Sequence, residues 1–267
     1  MSFMQKIRGS QRLIRWPIIL VILALCISLV GFFAFGPQNI TGGEEQGSEE
    51  DNVVVLLEDE ISRLQAELQA EPQNEELLAQ LAEMQGSLGN YYVQQGKEKE
   101  AKELLEGSIA NLEKSLQIKP QDSSLWSTLG YVQLNLAILN LNQQKDNEAQ
   151  ELMQRSLDSL QKAFNLNPND FVLANNLAYI AFNAGNPELA EKTYQTILEK
   201  DFATLGSQDQ KYYIDTLINY GAFRLAEDDD QNGAKELFEK ALSLGPDENQ
   251  ETQIRSYLEN LNEGEDQ

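Results

Sequence analysis

Apolar residues recur along this chain at two scales. At short range, Leu57, Ile61, Leu64 and Leu68 are spaced four, three and four apart, which places them on one face of a helix. At long range the pattern returns every 48 residues, with Pro72, Pro120 and Pro168 standing in QAEPQN, QIKPQD and NLNPND. Upstream of the prolines, Leu56, Leu104 and Leu152 correspond, as do Ile61, Ile109 and Leu157, then Leu64, Leu112 and Leu160, then Leu68, Leu116 and Phe164. Downstream, Leu77, Leu125 and Leu173 continue the match, followed by Leu81, Leu129 and Leu177. A fixed period of this size marks stacked supersecondary units.

Each proline ends one helix, and the residue two positions on, Asn74, Asp122 or Asp170, has a short acceptor side chain suited to capping the next. Midway between prolines, Gly96 and the aligned Gln144 precede Lys97 and Lys145, where a tight turn splits the unit into two antiparallel helices. The spacing predicts a lone helix over 53–71 and hairpins over 74–118, 122–167, 170–200 and 209–245. A closing helix over 248–262, with Ile254, Tyr257, Leu258 and Leu261, fits the polar-backed cap such arrays need.

These residues resemble the tetratricopeptide repeat (TPR), whose pattern runs from Trp-x-x-Leu-Gly through an Ala and a large apolar residue to Pro. Trp126, Leu129 and Gly130 match its start. Leu177, Ala178, Gly185, Ala190 and Tyr194 match it in the third hairpin, and Gly221, Ala234, Phe238, Ala241 and Pro246 in the fourth. The resemblance implies an all-α fold, an antiparallel helix-hairpin solenoid wound as a right-handed superhelix. The first two hairpins are 14 residues longer than the family's 34, an addition of two heptads that preserves the phase of the apolar face. The first helix is also spaced as a coiled-coil heptad, so it serves either as an intramolecular half-repeat or as a homo-oligomer contact through 53–71.

Upstream of the repeats, residues 17–35 form an uncharged apolar run long enough to span a ~30 Å hydrocarbon core, with Trp16 at its edge. Lys6, Arg8, Arg12 and Arg15 precede it, and Glu44, Glu45, Glu49, Glu50 and Asp51 follow. The positive-inside rule then predicts a single-pass protein of the inner (cytoplasmic) membrane, with its N-terminus in the cytoplasm and its repeats outside. A cleaved signal peptide is the competing reading of the same segment. The chain divides into a basic tail at 1–16, a transmembrane helix at 17–35, an acidic flexible linker at 36–52, a repeat domain at 53–262 and an acidic tail at 263–267.

Composition removes most chemistry. There is no histidine, and the one cysteine, Cys26, lies within the apolar run, so imidazole bases, Cys–His pairs and Cys-rich metal sites are absent. The reading is of a non-enzyme with no cofactor and no metal. The net charge of −23 falls on the repeats, since residues 1–36 carry only basic charge, and so acidic a surface argues against nucleic acid as a partner.

By the resemblance, the first helix of each hairpin lines a concave groove that holds an extended or helical segment of a partner protein. That groove draws on Gln80, Glu83, Thr128, Tyr131, Asn135, Asn175, Asn176, Tyr179, Asn183 and Asn219. Asn side chains both donate and accept, so a ladder of them suits a peptide backbone; ordinary polar surface or inter-repeat bonding is the alternative role. Trp126 is expected to be buried between repeats, and Asp228, Asp229 and Asp230 to form a solvated loop. The function implied is a membrane-anchored scaffold or adaptor in envelope or secretion and assembly processes. A TPR subunit similar to those of cytochrome c maturation or translocon quality control is the alternative in the same class, and a cell-wall polymer-binding module the alternative in another.

Overall fold

The computed structural model describes residues 46–228 and 230–265. The predicted basic tail, the apolar segment 17–35 and residues 36–45 of the linker lie outside the described residues. Among the described residues no helix is long and apolar enough to cross a membrane.

Every regular element among the described residues is helical. In order these are α1 (Gln46–Ala70), α2 (Glu75–Gln94), α3 (Glu98–Ile118), α4 (Ser123–Asn142), α5 (Asp146–Leu166), α6 (Phe171–Asn183), α7 (Pro187–Leu198), a 3-10 turn (Phe202–Thr204), α8 (Ser207–Asp228), α9 (Gln231–Ser243) and α10 (Glu248–Glu265). The 3-10 turn is a connection the periodicity does not show. Helix α1 starts at Gln46, so residues 46–52 are helical rather than linker.

The helix boundaries follow from local chemistry. Asn74 Oδ1 accepts from the Leu77 amide at 3.2 Å, Asp122 Oδ1 from those of Ser124 and Leu125 at 2.9 and 3.1 Å, and Asp170 Oδ1 from that of Leu173 at 2.9 Å. All three residues cap the helices they precede. Within the first three hairpins the chain reverses by one device. The amides of Lys97, Lys145 and Asn186 donate back to the carbonyls of Tyr92, Asn140 and Ala181 at 2.9, 2.9 and 2.8 Å. The preceding residues, Gly96, Gln144 and Gly185, are left-handed, with φ of 70°, 58° and 80°. These are Schellman closures, which satisfy the last carbonyls of the helix as it ends. Gln144 does with a side chain what glycine does freely, at a cost of roughly 1–2 kcal/mol.

The chain forms two compact units, one ending at Ser156 and the other beginning at Leu157, within α5. In the first, α1 packs on α2, α2 on both α3 and α4, and α3 on α4. Leu64, Leu81, Leu88, Leu105, Leu112 and Leu139 form its core, each contributing about 1.5–3 kcal/mol by leaving water. The heptad seam of α1 is part of that core: Ile61 and Leu64 are buried, and Val54, Leu57 and Leu68 pack against the cluster. Of the two roles open to this seam, the half-repeat is the one seen, because the seam is filled from within.

Several buried polar groups inside the long hairpins are paired across the two helices. Ser108 Oγ donates to the Ala82 carbonyl at 2.6 Å, and 48 residues later Ser156 Oγ donates to that of Gly130 at 2.7 Å. Asn111 Nδ2 donates to Gln85 Oε1 at 2.9 Å, with both side chains buried. Each bond joins the first helix of a hairpin to its second and satisfies groups that would otherwise be costly to bury. The spacing of Ser108 from Ser156, and of Gln85 from Gln133, carries this signal in the sequence. Trp126 departs from expectation: its ring is half-buried at the core's edge, and Nε1 donates to the Pro120 carbonyl at 2.9 Å. The indole closes the proline turn instead of filling the stack.

In the second unit α6 packs on α7 and α8, α7 on α8, and α8 on α9 and α10. Asp230 caps α9 through the Gly233 amide at 3.0 Å and binds the Arg224 guanidinium at 2.6 Å. These two contacts hold its carboxyl below the usual range. The Arg224 group also reaches Glu191 Oε1 at 3.4 Å, an oxygen that accepts from Tyr220 OH at 3.0 Å. Asp230 is thus a structural cap of α9 and not the solvated acid expected, whereas Asp229 is outside the described residues. Helix α10 is tied down by the buried Gln250, whose Nε2 donates to the Lys211 carbonyl and to Asp215 Oδ1 at 3.0 and 2.7 Å. Burial pushes the Asp215 carboxyl up.

Helices α8 and α9 cross where Gly221 faces the fully buried Phe238 ring, which stacks in turn on Tyr257 at 4.8 Å. A Cβ at position 221 would lie 2.6 Å from Phe238 Cε1. Alanine is the better helix former by ~1 kcal/mol, yet overpacking of a rigid ring costs ~1–3 kcal/mol. Gly221→Ala is expected to lower unfolding free energy in urea melts by roughly 1–2 kcal/mol. A variant more stable than the parent contradicts the close approach.

Candidate functional site

The residues singled out from the sequence fall on the first helices of the hairpins. In the first unit Gln80 and Glu83 are exposed on α2, and Gln80 Nε2 is within 3.4 Å of Glu76 Oε1, one turn away. Thr128, Tyr131 and Asn135 are half-buried on α4. Their spacings of three and four keep them on one face of that helix. Leu129, Val132 and Leu136, on the neighbouring face, are buried. Helix α4 is therefore apolar toward the core and polar but uncharged on the adjoining strip.

In the second unit Asn175, Asn176, Tyr179 and Asn183 are half-buried on α6, and Asn219 is half-buried on α8. Leu177 and Ala181 are fully buried, as their phase requires. Side-chain bonding separates the asparagines into different roles. Asn175 Nδ2 donates to the Phe171 carbonyl at 3.0 Å and to Thr216 Oγ1 at 2.9 Å, while its Oδ1 accepts from Asn219 Nδ2 at 3.3 Å. Thr216 is buried, and its hydroxyl continues to the Tyr212 carbonyl at 2.9 Å. Both amide hydrogens of Asn175 are thus used in the chain, and Asn175, Thr216 and Asn219 knot α6 to α8. Asn183 Nδ2 donates to the Tyr179 carbonyl at 2.7 Å.

In each unit the row presents aromatic edge and amide groups. Tyr131 and Tyr179 are 48 residues apart, at the same position of successive hairpins, and both are half-buried. A half-buried tyrosine has little rotamer entropy left to lose and presents both an apolar face and a hydroxyl. Among the ten residues only Glu83 carries a charge, so the strip differs from the strongly acidic remainder of the surface.

Comparison with known proteins gives fold likeness at low identity. No protein-family model matches the chain, and no curated protein sequence matches it. Among solved structures, the chain is similar to MamA at 19% identity and a TM-score of 0.48, over 76% of this chain and 96% of that one. It is similar to YrrB, a TPR protein with an unusual peptide-binding site, at 22% identity and a TM-score of 0.46, over 77% and 86%. It is also similar to the human IFIT1 dimer with PPP-AAAA, at 18% identity and a TM-score of 0.47, over 73% and 47%.

The asparagine knot makes a stability prediction. Asn175→Ala removes one partner from a Thr216 hydroxyl that stays buried, and is expected to cost about 1–2 kcal/mol in denaturant melts. Asn176→Ala on the same helix is expected to cost less than about 1 kcal/mol. Equal, negligible losses for both would show that Asn175 is surface and that the knot does not hold.

Proposed function

We propose that this chain is a membrane-tethered, tetratricopeptide-like scaffold that holds partner proteins on the first-helix faces of its hairpins, outside the cytoplasm. The observation that carries the binding reading is that each unit by itself presents a row of half-buried, uncharged polar and tyrosine side chains, Thr128, Tyr131 and Asn135 on α4 in the first and Asn176, Tyr179 and Asn183 on α6 in the second. Such residues bury contact area on association at small entropic cost, and tyrosine is over-represented among interface hot spots. Peptide segments suit this strip because backbone N–H and C=O groups find both acceptors and donors in asparagine. Helical-hairpin arrays host many partners, so the class of partner is read from the strip and not from the architecture.

The tether rests on sequence. Residues 17–35 are apolar and uncharged, four basic residues precede them, and five acids follow closely, an asymmetry that favours an N-terminus in the cytoplasm. A scaffold held this way gains effective concentration for partners confined to the same membrane. The surface of net charge −23 disfavours nucleic acid and anionic lipid as ligands. An envelope assembly or secretion process fits a scaffold so placed.

Two measurements bear on this reading. With a partner captured by photo-crosslinking at Asn135 or Asn183, the pair Tyr131→Ala and Asn135→Ala is expected to weaken its binding by ~1–3 kcal/mol. Equal capture from outer positions such as Glu113 and Glu239, or unchanged affinity in the pair variant, contradicts a first-helix site. For topology, protease added to spheroplasts of a bacterial host is expected to digest the repeats and spare the first 35 residues. A protected repeat domain in sealed spheroplasts, digested only after lysis, would overturn the orientation.

A further inference from the structure

The first unit has a second concave feature that the first-helix strip does not use. A cleft of about 310 Å³ opens between α3, α4 and α5. Its apolar lining is Ile109, Leu136 and Leu152, all nearly inaccessible to water. Among these aliphatic groups lies Asn140 of α4, 5% exposed, whose Oδ1 has no hydrogen-bond partner in the structure. A buried acceptor left unpaired is costly, so the position calls for a donor that the chain does not supply. Helices α3 and α5 contribute none of the strip residues named above, so this cleft is separate from that strip.

The rim has a definite charge state. Lys102 pairs with Glu106 at 3.6 Å and Arg155 with Glu113 at 2.7 Å, so both rim cations are matched within the chain. Glu148 and Glu151, exposed on the first turns of α5, are in no ion pair among the described residues. The cleft is also at the small end of ligand-pocket volumes, the size of one long side chain rather than of a cofactor.

We infer that this cleft receives an arginine side chain from a basic segment of a protein partner, its stem against Ile109, Leu136 and Leu152 and its guanidinium between Asn140 Oδ1 and the carboxylates of Glu148 and Glu151. Arginine matches each feature at once. Its methylene stem covers apolar surface while its head stays polar. Its planar fork offers several N–H donors, so one group serves a neutral acceptor and a carboxylate together. It is also hydrated more weakly than lysine, which lowers the cost of entering a half-enclosed site. The net charge of −23 steers such a segment toward this protein, and the orphan acceptor among apolar walls makes the cleft the place where it docks.

The test uses the full chain in detergent, methyl-labelled at leucine, titrated with an end-blocked glycine–serine heptapeptide carrying one central arginine. The same peptide with citrulline, which keeps the shape and loses the charge, is the control. Saturating shifts of the Leu136 and Leu152 methyls at millimolar arginine peptide are expected, with none from the citrulline peptide. Glu148→Gln with Glu151→Gln is expected to weaken binding about tenfold. Glu236→Gln with Glu239→Gln, which removes two exposed charges from α9, leaves it unchanged. Asn140→Leu is expected to abolish the shifts without lowering the melting midpoint, since it also removes the orphan acceptor. Absence of shifts in the parent chain, equal shifts with citrulline, equal weakening by the α9 pair, or undiminished binding by Asn140→Leu would each overturn the inference. None of these outcomes depends on whether the first-helix strip binds a partner.

Discussion

Two helices of about twenty residues can bury their apolar faces on each other only if the chain reverses within a few residues and leaves no helix end unsatisfied. In this protein that requirement is met by a left-handed residue at 96, 144 or 185, with a backbone bond reaching five residues back across it. The rest depends on those closures. They fix the phase at which the second helix starts, and so decide which of its residues face the first. They also leave one side of the first helix only partly covered, which is where the half-buried polar residues lie. At 144 the closure is made by glutamine against its own preference, which shows how strongly the apolar faces on either side demand the turn.

Once the faces meet, register is set by groups that cannot be left unpaired. In an all-aliphatic interface one helix can slide by a turn at modest cost. The Ser108 and Ser156 hydroxyls, each bonded to a carbonyl on the opposing helix, and the buried Asn111–Gln85 pair make such a slip expensive. Glycine acts at the same crossings: Gly89 brings α2 against the Leu105 side chain, and Gly221 brings α8 against the Phe238 ring. Long hairpins have more interface over which to slip, and the buried polar pairs fall in the two long copies.

The fold was largely legible in the sequence because its determinants are periodic and local. The 48-residue repeat, the acceptors two residues after each proline and the glycine midway between prolines each have one physical use, and each residue is found in that use. The misses involve residues whose role is set by one particular partner group that periodicity does not reveal. Trp126 matches a repeat motif, but its N–H reaches the Pro120 carbonyl and holds the ring at the surface. Asp230 reads as one of three solvated acids until Arg224, on the preceding helix, is seen beside it. The heptad of α1 suits a second copy as well as its own neighbour, and although its alignment with later second helices favours the neighbour, the packing is what shows its own core filling it. In the candidate site, the sequence left every asparagine between two roles, groove surface and inter-repeat bonding. Asn175 belongs to the structure because Thr216 and Asn219, about forty residues on, take up its amide.

On the function proposed here, the first helices would carry stability and recognition on adjoining rows of side chains. On α4 the buried row at Leu129, Val132 and Leu136 runs beside Thr128, Tyr131 and Asn135, and a partner pressed on the second row restrains the first. Hydrogen–deuterium exchange of the full chain with and without its captured partner measures this directly. The account predicts slowed exchange across residues 123–142 and 171–183 when the partner is bound, exceeding any change across 187–198. Slowed exchange confined to 187–198 and 231–243, with the first helices unaffected, would contradict it.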